Sequence, residues 1–363
     1  MRPLKATFST ANLINNLAII RAQAPHSKIV AMIKANAYGH GLCAVAERLQ
    51  GKVEMMGVAS IDEALTLRAQ GIKTPVLLME GIFSPKEINL AIQNNLHLVV
   101  HDLSQVAWLE ESNLSAPIHI WLKIDTGMGR LGFLPSQFKN VYDRLLCLPS
   151  VIKPMPIMSH FACADIKDHP LNTEQMKTFY ELGKGLNNPL SLCNSPALFN
   201  FPSCHHEWVR PGLSLYGLSP IPEKTTNELG LKPVMTLQSK LISVKTPPYG
   251  STIGYAARYY HKSNGSIGIV ACGYGDGYPL AVSDGAPILV NGIRCSVVGR
   301  ISMDMMAVDL SPCPQAKVGD PAILWGETLC INEIVAKAQY TSERQLLTDI
   351  HQRVPTFWDD ERD

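Results

Sequence analysis

The chain has 363 residues, of which 17 % are charged, and a net charge of +1; the length suits two domains, and the balance lacks the basic stripe of a nucleic-acid-binding surface. No apolar run reaches the ~18 residues a membrane span needs, and Asn15 and Asn16 break the nearest N-terminal candidate for a secretory signal. The 9 cysteines are odd in number and form no Cys-x-x-Cys pair, which points to a reducing cytoplasmic setting with thiols as small core residues.

The first 220 residues alternate two patterns. Leu13, Leu17 and Ile20 fall on one face of a helical segment. Strand-like apolar runs then follow at 29–33, 55–59, 75–79, 96–100, 118–124, 157–161, 190–193 and 208–216. Helical segments lie between most of them. Ser60-Ile-Asp-Glu63 reads as a capping box, and Ser84-Pro85-Lys86-Glu87 as another with proline at the first helical position. A strand–helix unit repeated eight times describes a (β/α)8 barrel, here placed at residues 1–229. The periodicity does not place the helix of the last unit.

After about residue 230 the helical period fades. Asn291-Gly292 between apolar runs is a two-residue hairpin signal. Val318-Gly-Asp320-Pro marks a further turn, and glycines cluster at 268–277. Residues 230–363 therefore read as a smaller, mainly β domain. The local cluster Cys204-His205-His206 has no second ligand pair at metal spacing, so no metal site is expected.

Active residues of such barrels lie at the carboxyl ends of the strands. Lys34 closes the first run, before a turn bounded by Gly39 and Gly41. A desolvated lysine can condense with an aldehyde cofactor; the ordinary alternative is a snorkelling side chain. Lys123-Ile-Asp125-Thr-Gly-Met-Gly129-Arg130 ends the fifth run, His160 the sixth, Asn194-Ser195 the seventh and Arg210-Pro-Gly212 the eighth. Cations, a histidine and a serine on converging strand ends point to an anionic ligand. Gly127, Gly129 and Gly212 would let backbone amides approach a phosphate.

These motifs resemble the alanine racemase family. Lys34-Ala-Asn-Ala-Tyr38-Gly-His-Gly is similar to its cofactor-lysine motif. Asp125-Thr-Gly-Met-Gly-Arg-Leu-Gly, Trp208-Val-Arg-Pro-Gly-Leu-Ser-Leu-Tyr-Gly, Ile253-Gly-Tyr-Ala and Ser302-Met-Asp-Met occur in the family's order. The resemblance implies a pyridoxal-phosphate (PLP) enzyme that racemises alanine for cell-wall precursors, built as a homodimer with shared active sites. It implies Lys34 and Tyr255 as acid/base groups on opposite faces of the reacting carbon, with Tyr255 reaching the partner subunit's site. Free tyrosine titrates at about 10, so that role asks for cationic neighbours, for which Arg130 and His160 are the candidates. Arg210 matches the residue facing the cofactor's pyridine nitrogen. Tyr38 and Ser195, with the backbone of Gly212 and Leu213, match the phosphate cradle, and His160 belongs to the cofactor set. Arg130 matches the residue steadying the substrate carboxylate, Lys123 a position often carbamylated, Met303 with Asp304 the partner-subunit residues lining the substrate pocket, and Tyr274 an aromatic at the entrance.

The chain departs from the family pattern twice. Leu280 stands where many members carry arginine, and Gln352 where some place a phosphate-binding tyrosine. Other readings are a broader-specificity amino-acid racemase, a related PLP-dependent amino-acid decarboxylase and a non-enzymatic PLP-binding protein. Arg210 and Tyr255 argue against the decarboxylase, and the β domain against the last.

Overall fold

A computed structural model of the chain describes residues 2–262 and 265–360. They form two compact units, Asn15–Leu231 and Met1–Ile14 with Lys232–Asp363.

The first unit is an 8-stranded parallel sheet, with strands Lys28–Met32, Met55–Val58, Val76–Leu78, Leu96–Val100, Ile120–Lys123, Ile157–Met158, Leu190–Ser191 and Trp208–Val209 paired in chain order. Trp208–Val209 pairs back onto Lys28–Ile29, and a parallel bridge between Asn194 and Arg210 closes the remaining gap. Val30, Met32, Met55, Leu77, Val99, Trp121 and Met158 fill the interior, which explains why these strands read as unbroken apolar runs. Leu13, Leu17 and Ile20 are buried, as their period predicts.

The strands are shorter than the apolar runs that announce them. The run at 208–216 stops at Val209, and Leu213–Tyr216 becomes a 3-10 turn. Pro211 has no N–H for a ladder, so the chain must leave the sheet there. Neither capping box forms as expected. Ser60 makes no side-chain cap; the Glu63 carboxylate instead accepts from the amides of Ala35 at 2.8 Å and Ala59 at 2.7 Å. The helix expected from Pro85 begins at Glu87, whose carboxylate accepts from the Phe83 amide at 3.0 Å.

The second unit is also built on an 8-stranded sheet. Met235–Lys245 pairs with Pro321–Trp325 on one side and with Ile267–Val270 further along, which curls the sheet into a closed ring. The expected hairpin joins Ala286–Val290 to Ile293–Val298, with Asn291 at φ 51° and Gly292 at φ 77°, the positive pair that a type I′ turn demands. The units divide at 231/232, close to the expected 229/230, but the expected start of the barrel at residue 1 needs correcting. The strand Lys5–Phe8 pairs antiparallel with Met235–Lys245 and parallel with Thr356–Trp358, so residues 1–14 belong to the C-terminal unit. A four-residue strand takes its place from partners more than 200 residues away, which local periodicity cannot reveal. No helix is long and apolar enough to cross a membrane among the described residues.

Candidate active site

Lys34 lies two residues past the first barrel strand, at the start of the turn that follows, and is half-buried. The next four residues, Ala35, Asn36, Ala37 and Tyr38, all sit at φ 53°, a left-handed turn costing about 1–2 kcal/mol per residue. Local bonds offset that strain. Glu63 holds the Ala35 amide, the Asn36 side chain accepts from Leu42 N at 2.8 Å, and His40 Nδ1 donates to the carbonyls of Ala37 and Tyr38 at 3.1 and 2.9 Å. Two carbonyl partners fix the proton on Nδ1. Burial pushes the His40 pKa down to about 4, outweighing those two bonds, so the ring is neutral at neutral pH. Tyr38 stacks on Tyr216 at 4.8 Å, and Tyr216 donates to the Met32 carbonyl at 3.0 Å.

The opposite edge of the mouth comes from the last two strands. Asn194 caps the helix Ser195–Asn200 through Ala197 N, which seats Ser195 in its first turn. Ser195 Oγ accepts from the amides of Gly212 at 2.9 Å and Ser214 at 3.4 Å. A Cβ on Gly212 would lie 2.4 Å from the Tyr38 hydroxyl, so any larger residue there would force Tyr38 to move. Leu213 is buried next to it. Ser214 Oγ is buried with no hydrogen-bond partner among the described residues.

Arg210 is 3 % exposed. Its Nη1 donates to the Ser191 carbonyl at 2.8 Å and hydroxyl at 2.5 Å, and its Nη2 to the Ser159 carbonyl at 2.6 Å. Nη2 also lies 3.4 Å from His160 Nδ1. Guanidinium only donates, so that ring nitrogen accepts and His160 is neutral. In agreement, burial and then the charges of Arg210, Lys123, Arg130 and Lys34 hold the His160 pKa well below its ordinary value. Arg210 Nε is buried without a partner among the described residues. Burial pushes the guanidinium pKa down to about 10, against the opposing effect of Cys193, which still leaves it charged at neutral pH.

Lys123 is 6 % exposed at the end of its strand. Burial first, then Arg210, Arg130 and Lys34, push its pKa down to about 8, with Asp125 opposing. The glycine-rich segment after it is wrapped around Asp125. Its carboxylate accepts from the amides of Gly127, Met128, Gly129 and Arg130 at 2.8–3.1 Å. Burial acts to raise that carboxyl, but the four amides together hold it below the usual range. The amides of Gly127 and Gly129 are thus spent on Asp125, which corrects the expectation that they face a phosphate. The wrap leaves the Arg130 side chain exposed.

Sequence reasoning missed Gln175, which is fully buried in the helix Pro170–Gly183. Its Nε2 donates to the His160 carbonyl at 2.9 Å and lies 3.4 Å from Thr126 Oγ1, while its Oε1 accepts from Ala162 N at 2.9 Å. Thr126 and Ser159 share a further bond at 2.8 Å. One glutamine therefore ties together the ends of two strands that carry Arg130 and His160. A polar residue in the helix's buried stripe was the only available signal.

The C-terminal unit holds the other expected residues. Tyr255 lies in the connection between the paired strands Thr252–Ile253 and Tyr259–Tyr260 and is 68 % exposed, with Ala256 and Ala257 after it at φ 58° and 48°. Met303 is 53 % exposed. Tyr274 and Leu280 line a cavity of about 430 Å³ with Tyr278 and Tyr340. Gln352 is exposed, and its neighbour Arg353 bonds to Asp304 and Asp276. No cluster of three His, Cys, Asp or Glu residues suited to a metal occurs among the described residues.

Residues 8–220 match the model of the alanine racemase N-terminal domain, and residues 234–358 that of the C-terminal domain. The chain is 44 % identical over 354 residues to the alanine racemase of Aliivibrio salmonicida, covering 98 % of both. It is 43 % identical to that of Vibrio cholerae over the same share. The solved structure of the biosynthetic alanine racemase from Pseudomonas aeruginosa superposes with a TM-score of 0.95 at 41 % identity, covering 99 % of each chain. The Acinetobacter baumannii alanine racemase gives 0.91 at 35 % identity, covering 99 % of this chain and 100 % of that one. With both domain models matched across a barrel and a β unit of the right kind, the chain belongs to the alanine racemase family.

Proposed function

We propose that this chain interconverts L- and D-alanine with pyridoxal phosphate, supplying D-alanine for peptidoglycan in the cytoplasm. The observation that carries the reading is the charge at the barrel mouth. Lys34, Arg130 and Arg210 all act on Lys123, and the four cations together act on His160; none of them forms an ion pair with a carboxylate among the described residues. So many unpaired cations around one mouth suit a dianionic phosphate and a carboxylate.

The cofactor fits the residues present. Arg210 Nε is a buried donor without a partner, suited to a pyridine nitrogen. Gly212 gives close backbone approach beside Tyr38; the Ser195 hydroxyl and the Leu213 amide supply phosphate donors, with the unpartnered Ser214 hydroxyl at hand, and the Gly212 amide, which donates to Ser195 Oγ here, would have to turn from it to join them. When bound, the cofactor makes the Cα proton of alanine acidic by spreading the charge left behind. Lys34 Nζ holds the cofactor and moves the proton on one face; the Tyr255 hydroxyl moves it on the other. Arg210 only donates, so it keeps the pyridine nitrogen unprotonated and limits how long that charge persists. Arg130 steadies the substrate carboxylate. Lys123, with a substantial neutral fraction near pH 8, can add to carbon dioxide and lose a proton, giving a carbamate that orients Arg130.

We further propose a homodimer in which Tyr255 and Met303 complete the partner's site. The exposed Tyr249, Tyr255, Tyr260, Met303 and Met305 of the C-terminal unit suit such an interface, because tyrosine and methionine are enriched at subunit interfaces relative to the rest of the surface. The direct test is incubation of the PLP-loaded protein with L-alanine in deuterium oxide. D-alanine carrying deuterium at Cα is expected. A folded, loaded protein that yields none overturns the reading, and trials of other amino acids then decide between a broader racemase and a decarboxylase. Mixing Lys34→Ala chains with Tyr255→Phe chains should restore activity through one intact site per dimer; no recovery after demonstrated subunit exchange counts against shared sites.

A further inference from the structure

The C-terminal unit contains a buried ionic hub that the reaction as described leaves unused. Asp276 is 0 % exposed. Its carboxylate accepts from Arg2 at 2.6 and 2.9 Å, from Arg353 Nε at 2.7 Å and from the Gly273 amide at 2.9 Å. Both arginines are only partly buried, and both reach past Asp276 to one short segment. Arg2 Nη2 donates to the Asp304 carbonyl at 2.9 Å. Arg353 Nη1 donates to the Asp304 carboxylate at 2.8 Å and its Nη2 to the Met303 carbonyl at 3.2 Å. The turn at Tyr274 rests on the same segment, through Tyr274 N to the Ser302 carbonyl at 3.1 Å and Gly275 N to the Met303 carbonyl at 2.9 Å. A Cβ on Gly273 would lie 2.2 Å from the Ser302 oxygen, and one on Gly275 would lie 2.7 Å from Arg353 Nη2. Neither turn residue can therefore be larger without moving the segment or the arginine.

Met303 itself is half exposed, and its carbonyl accepts from both Arg353 Nη2 and the Gly275 amide, so this hub holds its backbone. We propose that Arg2, Asp276 and Arg353 are positioning residues that fix Met303 and Tyr274 for substrate binding. The inference rests on the reading that Met303 lines the alanine pocket of the partner's site. It adds that alanine affinity is controlled from a buried carboxylate and two arginines that touch neither substrate nor cofactor. A fork is required, since each arginine bonds to Asp276 and the segment at once, and lysine cannot reproduce that geometry.

The test is steady-state kinetics on the PLP-loaded dimer of Arg353→Ala, Arg353→Lys and Arg2→Ala, beside Met303→Ala. Arg353→Ala should raise KM for alanine about tenfold, the scale of lost hydrogen bonds to a charged group, with kcat, PLP content and dimerisation little changed. Arg353→Lys should recover only part of that rise. Arg2→Ala, which leaves Arg353 on Asp276, should show the same shift and serves where Arg353→Ala does not fold. Unchanged KM in these variants, with KM raised in Met303→Ala, overturns the inference and leaves the reading of Met303 intact. Unchanged KM in Met303→Ala overturns both. Loss of PLP or of the dimer without a KM shift marks the hub as purely structural and also overturns it.

Discussion

The two units use arginine in opposite ways. In the C-terminal unit Arg2 and Arg353 converge on Asp276 and Asp304, so charge is cancelled and the arginines act as clamps. In the barrel Arg210 bonds to carbonyls, a hydroxyl and a neutral histidine, and its charge stays uncompensated. The barrel's nearby acid, Asp125, is satisfied by four amides. Burying uncompensated cations is costly, as the lowered pKa values of Lys123 and Arg210 record. A fold that keeps several of them together at one mouth is waiting for an anion, whereas one that pairs them is holding a shape. The contrast separates a binding site from a scaffold without reference to any ligand.

The largest effect should come from the barrel side of this contrast. Lys34→Ala should lower kcat by about 10⁴ or more, since on the proposed reading it removes a proton-transfer group and the cofactor's covalent anchor together. Cofactor absorbance should then change to that of free aldehyde. A variant that keeps its activity would show that the cation cluster serves binding alone and that the proton is moved elsewhere.

A second effect should divide the units by pH. His40 stays neutral down to about pH 4 when folded, and His97, whose pKa burial and then His119 and Arg68 push down to about 3, does the same. Both lie in the barrel unit, and both bind a proton near pH 6.5 once unfolded. The unfolded state therefore binds more protons in between, so stability is full above about pH 6.5 and is lost as pH falls toward 4. His40 alone accounts for on the order of 3 kcal/mol across that window. Hydrogen exchange on barrel amides should accelerate from pH 6.5 to 4, after correction for intrinsic rates, well before exchange in the strands around Trp325. Equal responses in both units would remove the histidines as the cause.

Much of this organisation was legible from local pattern. The strand ends that carry Lys34, Lys123, His160, Ser195 and Arg210 were readable because a barrel places them by topology, and Asn291-Gly292 because its turn depends on two residues alone. The rest depends on partners distant in sequence. Glu63 looks like a capping residue until the Ala35 amide, 28 positions away, is brought to it. Gln175 is one polar residue in a helix, and only packing shows that it bonds to the loop of Thr126 and the strand end at His160. The left-handed run Ala35–Tyr38 contains no glycine, so nothing in its composition announces positive φ. Asp276 was visible only as part of a glycine-rich stretch; its partners sit at residues 2 and 353.

The smallest effect tests whether glycine is needed for space or for backbone angle. In the barrel, Gly212 has an ordinary negative φ of −120°, and a Cβ there would strike Tyr38. In the C-terminal unit Gly292 is the reverse case: φ is 77°, and nothing lies within 4 Å of an added Cβ. Gly292→Ala therefore meets no clash and costs only the left-handed penalty, about 1 kcal/mol, partly offset by lower entropy of the unfolded chain. Thermal unfolding should fall by a few degrees with cofactor content and alanine kinetics unchanged. Gly212→Ala carries no left-handed penalty, yet it should weaken PLP binding more than it lowers the melting temperature, because Tyr38 must move. If Gly292→Ala also disturbed PLP binding, the hairpin would have to act on the site, and the division between a charged mouth and a neutralised scaffold would fail.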